Sequence, residues 1–400
     1  MFLSRHLANI SPSATLTITQ KVRDMRAQGI EVIGLGAGEP DFDTPPHIIR
    51  AAGQAMKDGH TRYTNVDGIP ELKSAICAKF KRDNGLEYTP DQINVSPGGK
   101  AVIYNALVAS LDPGDEVIIP TPCWVSYPDM VKLAGGVPVL AKTTLEDGYK
   151  LRPALLENLI TPKTKWLFLN SPSNPTGAAY EREELKNLAD VLRRHPHVWV
   201  LSDDIYEHLI YDDFEFATMA QAAPDLFDRT LTMNGVSKAY AMTGWRIGYG
   251  GGPQKLIKAM AKVMGQTTSN AASISQWAAV AALTGPQDFI ISSNQVYKSR
   301  RDLVMDKLNA MPLLECPKPD GAFYVFPDCA KLMGMTTPKG RKLKTDVDFA
   351  TALLDEAHVA VVPGSAFHAP SSFRISYSID TDDLRNACAR IQSFLASLKL

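Results

Sequence analysis

The sequence predicts an α/β protein with a mostly parallel sheet, followed by a smaller α+β portion. Three observations carry this. Between residues 93 and 250, short apolar runs alternate with helix-like segments, the pattern of strands joined by crossover helices. Most polar motifs fall where an apolar run ends, and ligands of such sheets bind beyond the carboxyl ends of strands. From about residue 294 the chain changes character, with a charged helix and then short mixed elements.

In order, the start reads as a loose arm around Pro12, then a short helix over 17–29 that ends at a glycine. A brief strand over 31–35 runs into Gly36-Ala37-Gly38-Glu39-Pro40. The run Gly34-x-Gly36-x-Gly38 imitates a dinucleotide fingerprint, but that motif needs a helix directly after the glycines, and Pro40, Pro45 and Pro46 intervene. It is read instead as a sharp loop. Helices are predicted over 46–58 and 69–84, each bordered by proline or glycine. A strand over 93–95 meets Ser96-Pro97-Gly98-Gly99 and a helix over 100–111, which reads either as an anion site made by free N–H groups and the helix dipole or as an ordinary strand-to-helix turn. Further strands are predicted over 116–120, 137–140, 165–170, 198–202, 230–234 and 246–250, with a helix over 181–195. Beyond 294 the pattern gives a strand-like 321–326, a basic solvated loop over 338–344, a helix over 346–356, strands over 359–362 and 373–377, and an amphipathic helix over 381–398.

Four hundred residues suit two domains of roughly 100–200 residues each. Lys and Arg number 42 against 43 Asp and Glu, which argues against a generally basic nucleic-acid-binding protein. No apolar run approaches the ~20 residues that span a bilayer, and the N-terminus lacks a signal-peptide core, so a cytoplasmic protein is expected. The five cysteines are scattered with no CxxC pair and no zinc spacing, so reduced thiols and no metal are expected.

The chemistry concentrates in residues 230–252. Lys238 lies just past an apolar strand among small and apolar neighbours. Desolvation there disfavours the ammonium, and a neutral amine can attack an aldehyde. Arg246 follows, and its planar fork suits a phosphate. Aldehyde and phosphate on one small molecule describe pyridoxal phosphate. Asn174 precedes a proline at another strand end, which lets its amide face a pocket. Asp203 emerges from an apolar strand, where an acid needs a cationic partner such as a protonated pyridine nitrogen. A helix N-cap role fits Asp203 or Asp204 equally well on sequence alone.

These residues lie within longer motifs: Ala37-Gly-Glu-Pro-Asp-Phe-Asp-Thr-Pro45, Trp124-Val-Ser-Tyr-Pro128, Asn170-Ser-Pro-Ser-Asn-Pro-Thr-Gly177, Ser202-Asp-Asp-Ile-Tyr206, Ser237-Lys-Ala-Tyr-Ala-Met-Thr-Gly-Trp-Arg246 and Phe373-Arg-Ile-Ser-Tyr377. Together, and in this order, they resemble the class I pyridoxal-phosphate aminotransferases of fold type I, and more narrowly the bacterial subgroup I-beta aspartate aminotransferases. The resemblance implies a large domain over 47–293 with a mostly parallel seven-stranded sheet. It also implies a small α+β domain from both chain ends, 1–46 with its N-terminal arm and 294–400. Lys238 would form the Schiff base with pyridoxal 5'-phosphate and move the substrate proton. Asp203 would pair with the pyridine nitrogen, Tyr206 and Asn174 would donate to the ring oxygen, and Trp124 would stack on the ring. Arg246, with the backbone of Gly99 and Lys100, would hold the phosphate. Tyr63 would reach that phosphate from a second subunit, making a homodimer with shared active sites. Arg374 would grip the substrate α-carboxylate, helped by Asn174 and the Gly38 backbone.

For the substrate, the resemblance assigns the distal carboxylate to Lys100, with Ser13 and Thr15 as helpers from the partner subunit. That implies aspartate with 2-oxoglutarate, and neither nucleic acid nor membrane as partner. Two positions depart from the resemblance. Ser11 stands where relatives carry a basic residue linked to prephenate, which argues against prephenate. Cys123 stands where relatives carry a tyrosine before the stacking tryptophan, which opens the alternative of an aromatic or broad-range aminotransferase. A lyase on the same scaffold is a further alternative.

Overall fold

The computed structural model describes residues 2, 7, 10, 12 and 14–400. At its centre lies a seven-stranded sheet, whose strands in chain order are β1 (Ile93–Ser96), β2 (Glu116–Thr121), β3 (Val137–Lys142), β4 (Thr164–Asn170), β5 (Trp199–Asp203), β6 (Thr230–Gly235) and β7 (Gly248–Gly251). They are ordered β1-β7-β6-β5-β4-β2-β3. Only β7 runs against the others: it pairs antiparallel with both β1 and β6, while every other pairing is parallel. The central strands are apolar throughout because helices cover both faces. Ile118, Leu167 and Val200 pack with the amphipathic helix Arg182–Arg194 on one side. Val117, Ile119, Phe168 and Leu231 pack with the helices Gly99–Ser110 and Gln254–Thr267 on the other.

Register then decides the chemistry. Asn170 is paired with Asp203, and Asp203 with Met233, so the ends of β4, β5 and β6 lie side by side at the carboxyl edge. Residue 246, expected within a strand, precedes it: Arg246 has φ 56°, a left-handed conformation, and β7 begins at Gly248. The reason is close packing. A Cβ on Gly248 would lie 2.7 Å from the Gly99 Cα, so the chain must turn before it can run beside the Gly98-Gly99 corner.

The second unit is small and mixed. Ile33–Gly34 pairs parallel with Val359–Ala360, and Tyr324–Val325, Phe373–Ser376 and Val362–Pro363 form an antiparallel three-stranded sheet. The helices Asp346–Ala357 and Thr381–Ser397 cover them, started by Thr345 and Asp380, whose side chains accept backbone N–H groups. The N-terminal helix is Ala14–Ala27, beginning three residues before the expected start, and packs through Ile18 and Val22. The helix Asp288–Asn309 runs without a break through residue 294, where the character of the sequence changes. Its Arg300 and Arg301 are buried, paired with Asp41 at 2.8 Å and with Asp212 at 3.0 Å. The basic stretch 338–344 is also less free than expected: Leu343 is fully buried, and Lys342 bridges Thr336. All five cysteines are free thiols. No described helix is long and apolar enough to cross a membrane.

Candidate active site

The strand ends open into a cavity of about 520 Å3. Its wall includes Lys238, Asp203, Tyr206, Asn174, Trp124, Arg246, Gly99, Lys100, Arg374, Gly38 and Thr15, which the sequence had singled out from separate stretches.

Asp203 ends β5 and is 3% exposed. Burial leaves its carboxyl raised to about 6, although hydrogen bonds from the Tyr127 hydroxyl and the Ile205 N–H and the Lys238 charge act to lower it. It has no ion pair with a described residue, so this buried acid faces the cavity without a cation of its own. Lys238 stands three residues past the end of β6 and donates from Nζ to the Gly38 carbonyl at 2.6 Å. Its side chain still meets the open cavity, but the ammonium is packed among Tyr206, Phe323 and the loop at Gly38. Desolvation therefore lowers its pKa to about 8, with the Arg374 and Arg246 charges acting in the same direction and Glu39 and Asp203 opposing.

Arg374, from the strand Phe373–Ser376, is 2% exposed and crosses the cavity floor. Its guanidinium donates to Asn174 Oδ1 and to the Gly36 carbonyl, each at 2.7 Å, and rests on the rings of Tyr324 and Phe367. Its Nε has no partner among the described residues. Glycine is required at 38 because a Cβ there would lie 2.9 Å from the Tyr324 hydroxyl. That hydroxyl in turn meets the Tyr206 hydroxyl at 2.8 Å. Burial and the Tyr324 partner push the Tyr206 phenol well above its ordinary pKa, so it keeps its proton.

Opposite, Gly98 has φ +90° and begins the helix Gly99–Ser110. A Cβ on it would lie 2.9 Å from Arg246 Cζ, so backbone and guanidinium form one cradle at a helix N-terminus. Arg246 is otherwise held by the Thr243 carbonyl at 2.7 Å. Trp124 is half-buried, with its ring edge-on to Tyr127. The exposed Lys100 lies 5.0 Å over that ring, where partial desolvation and the Arg246 charge lower its pKa. Five cations (Arg23, Lys100, Lys238, Arg246, Arg374) and two acids (Glu39, Asp203) line the cavity, which suits an anionic ligand.

Four expectations need correction or placing. Thr15 was expected from a partner subunit, yet the helix Ala14–Ala27 folds back over its own chain and sets Thr15 on this chain's cavity wall. Tyr63 is 89% exposed and away from that wall. Ser11 and Ser13 lie outside the described residues. Cys123 is buried with Tyr127 and Met130 and is not on the wall of this cavity.

Sequence reasoning missed Tyr127, Asn170, Tyr324 and Arg23. Asn170 accepts the Asn174 N–H at 2.8 Å and donates to the Asp203 carbonyl at 2.9 Å, tying two strand ends together. Tyr127 and Asn170 both sit inside motifs noted above, which was the available signal. Tyr324 and Arg23 carried none.

Comparison with known proteins gives the family. The family described as Aminotransferase class I and II matches residues 30–391. An aspartate/prephenate aminotransferase of Cereibacter sphaeroides is 59% identical over 99% of both chains. The crystal structure of the aspartate aminotransferase from Rhizobium meliloti superposes with a TM-score of 0.97 at 53% identity, covering 100% of each chain. That of the Thermus thermophilus aspartate aminotransferase with maleate gives 0.91 at 44% identity, covering 98% of this chain and 100% of the other. The chain belongs to the class I and II aminotransferase family, among the class I, pyridoxal-phosphate-dependent enzymes of fold type I.

Proposed function

We propose that this protein binds pyridoxal 5'-phosphate and catalyses aspartate + 2-oxoglutarate = oxaloacetate + glutamate. One observation carries the reading: a lysine of lowered pKa, a buried acid with no ion pair to a described residue and a buried arginine with an unpaired donor all line one cavity. The residues fit the cofactor. Lys238 matches its aldehyde, Asp203 its ring nitrogen, and the cradle of Gly98, Gly99, Lys100 and Arg246 its phosphate. Tyr206 and Asn174 suit the ring oxygen, and Trp124 the ring face.

When bound, the cofactor supplies an electrophilic carbon for the substrate amine and a sink for the electrons of the Cα–H bond. The chain's own groups do the rest. Arg374 holds the α-carboxylate and fixes the face on which Cα–H points at Lys238. Lys238 Nζ, neutral in a useful fraction near pH 8, accepts that proton. Asp203 keeps a negative charge at the cavity floor, held in place by Tyr127 and the Ile205 N–H. Lys100 and Thr15, with Ser13, are suited to the distal carboxylate. Relatives named for aspartate, one of them solved with maleate, a four-carbon dicarboxylate, support this choice. Ser11 is the reason prephenate is left out of the reading.

We further infer a homodimer. Tyr63, Ile49 and Met56 are exposed at 89%, 50% and 52%, which supports their burial against a second copy and a reach of Tyr63 into its cavity. The division into a large domain over 47–293 and a small one from 1–46 and 294–400, and a cytoplasmic location, belong to the same proposal. The test is a steady-state assay with aspartate, tyrosine and phenylalanine as donors to 2-oxoglutarate. Aspartate turnover that exceeds the aromatic donors and disappears in Lys238→Ala is expected. No measurable aspartate turnover would sink the assignment.

A further inference from the structure

Tyr324 is fully buried and lies off the cavity wall, although Tyr206 and Arg374, both of which it touches, line it. In the small antiparallel sheet Tyr324 stands opposite Ser376, so Arg374 is its diagonal neighbour on the same face. The Arg374 guanidinium rests 4.4 Å over the Tyr324 ring. The hydroxyl end of that ring meets the Tyr206 hydroxyl at 2.8 Å, and neither hydroxyl has a second hydrogen-bond partner among the described residues. Burial raises both phenols, so each keeps its proton and the pair holds two. One O–O contact carries only one of them. If Tyr206 donated, the Tyr324 proton would be left in the interior with no acceptor among the described residues, which is costly. If Tyr324 donates, the spare proton belongs to Tyr206, which lines the cavity and can give it to a ligand. The second arrangement leaves no proton stranded in the interior.

We propose that Tyr324 is a positioning residue: its hydroxyl donates to Tyr206 and so aims the Tyr206 proton at the ring oxygen of the cofactor, while its ring seats the guanidinium that takes the substrate α-carboxylate. This rests on the reading of Tyr206 given above. A phenol whose oxygen already accepts a hydrogen bond is the stronger donor through its own O–H. From one buried position Tyr324 thus steadies a donor to the cofactor and a donor to the substrate. The charged groups around the two phenols are Arg374 on the Tyr324 ring, Lys238 at 5.9 Å over the Tyr206 ring, and Asp203. Removing only the Tyr324 hydroxyl leaves all three in place.

The test is Tyr324→Phe in the holoenzyme, which keeps the ring, set beside Tyr206→Phe and the double variant. A donor to the ring oxygen favours the form in which that oxygen is an anion sharing no proton, so weakening the donor moves the pH midpoint of the cofactor's visible absorbance upward. Tyr206→Phe should shift the midpoint most, and Tyr324→Phe should shift it in the same direction by about 0.3–0.8 pH units. The double variant should shift it no further than Tyr206→Phe, because Tyr324 acts through Tyr206. In Tyr324→Phe kcat should fall about three- to tenfold, with KM for aspartate within about twofold, since the ring under Arg374 remains. An unmoved midpoint in Tyr324→Phe, or a double-variant shift equal to the sum of the two single shifts, overturns the role of Tyr324 and leaves the reading of Tyr206 intact. A midpoint that Tyr206→Phe itself does not move overturns both.

Discussion

Replacing Arg374 by lysine removes the fork and keeps the charge. The guanidinium has five N–H donors, and two are used on Asn174 and the Gly36 carbonyl. The remaining three include Nε, which no described group satisfies. A substrate α-carboxylate can therefore form a two-point pair, each charge-assisted hydrogen bond contributing about 1.5–3 kcal/mol. The pair as a whole amounts to about 3–6 kcal/mol, or a factor of about 10²–10⁴ in kcat/KM. Lysine keeps a point charge, so Arg374→Lys should fall near the lower end and Arg374→Gln near the upper. Both losses should be alike for aspartate, glutamate and phenylalanine, since every donor carries the same α-carboxylate. The assay is kcat/KM for these three donors, with thermal unfolding as the control, because a larger deletion would leave Asn174 Oδ1 and the Gly36 carbonyl unpaired in the interior. A loss below about tenfold, or one confined to dicarboxylates, would refute the reasoning and place the α-carboxylate elsewhere.

Three other outcomes follow from the same geometry. The amine of Lys238 reacts only when neutral and has a pKa lowered to about 8, so the rate at which apoprotein takes up pyridoxal phosphate should rise with pH through about 8 and level off above; a rise continuing to pH 10 would mean an unshifted lysine. Tyr127→Phe removes a hydrogen bond that lowers the pKa of Asp203, so the acid limb of the pH–kcat profile should move to higher pH, with kcat falling about tenfold or more at neutral pH; an unmoved limb would show that Tyr127 does not act on Asp203. Gly98→Ala would push a methyl group into the Arg246 guanidinium and should weaken retention of pyridoxal phosphate much more than that of unphosphorylated pyridoxal, as measured by dialysis and absorbance; equal weakening would place the phosphate elsewhere.

The sheet was legible because its central strands are buried on both faces and read as continuous apolar runs ended by polar residues. Asn170, Asp203 and Lys238 could be placed on strand ends before any coordinates, and the register of β4, β5 and β6 then brought the first two side by side. What sequence could not give was contact between distant segments. Tyr127 opens a short helix 76 residues before Asp203, and nothing local marks its hydroxyl as that acid's partner. Arg246 was read as part of a strand because Arg-Ile-Gly-Tyr-Gly continues the apolar pattern, while its left-handed turn is forced by the packing of Gly248 on Gly98 and Gly99. The helical period of residues 14–27 was partly visible, but not which face lies on the loop at Gly34, and so neither Arg23 nor the placement of Thr15 on its own chain's cavity could be read.

The most direct test of the central claim concerns Lys238. Holoprotein reduced with borohydride, digested and mapped by mass spectrometry should carry the pyridoxyl group on the peptide containing Lys238 and on no other lysine, Lys100 included. The label on a different lysine, or holoprotein with no reducible link to any lysine, would contradict the account.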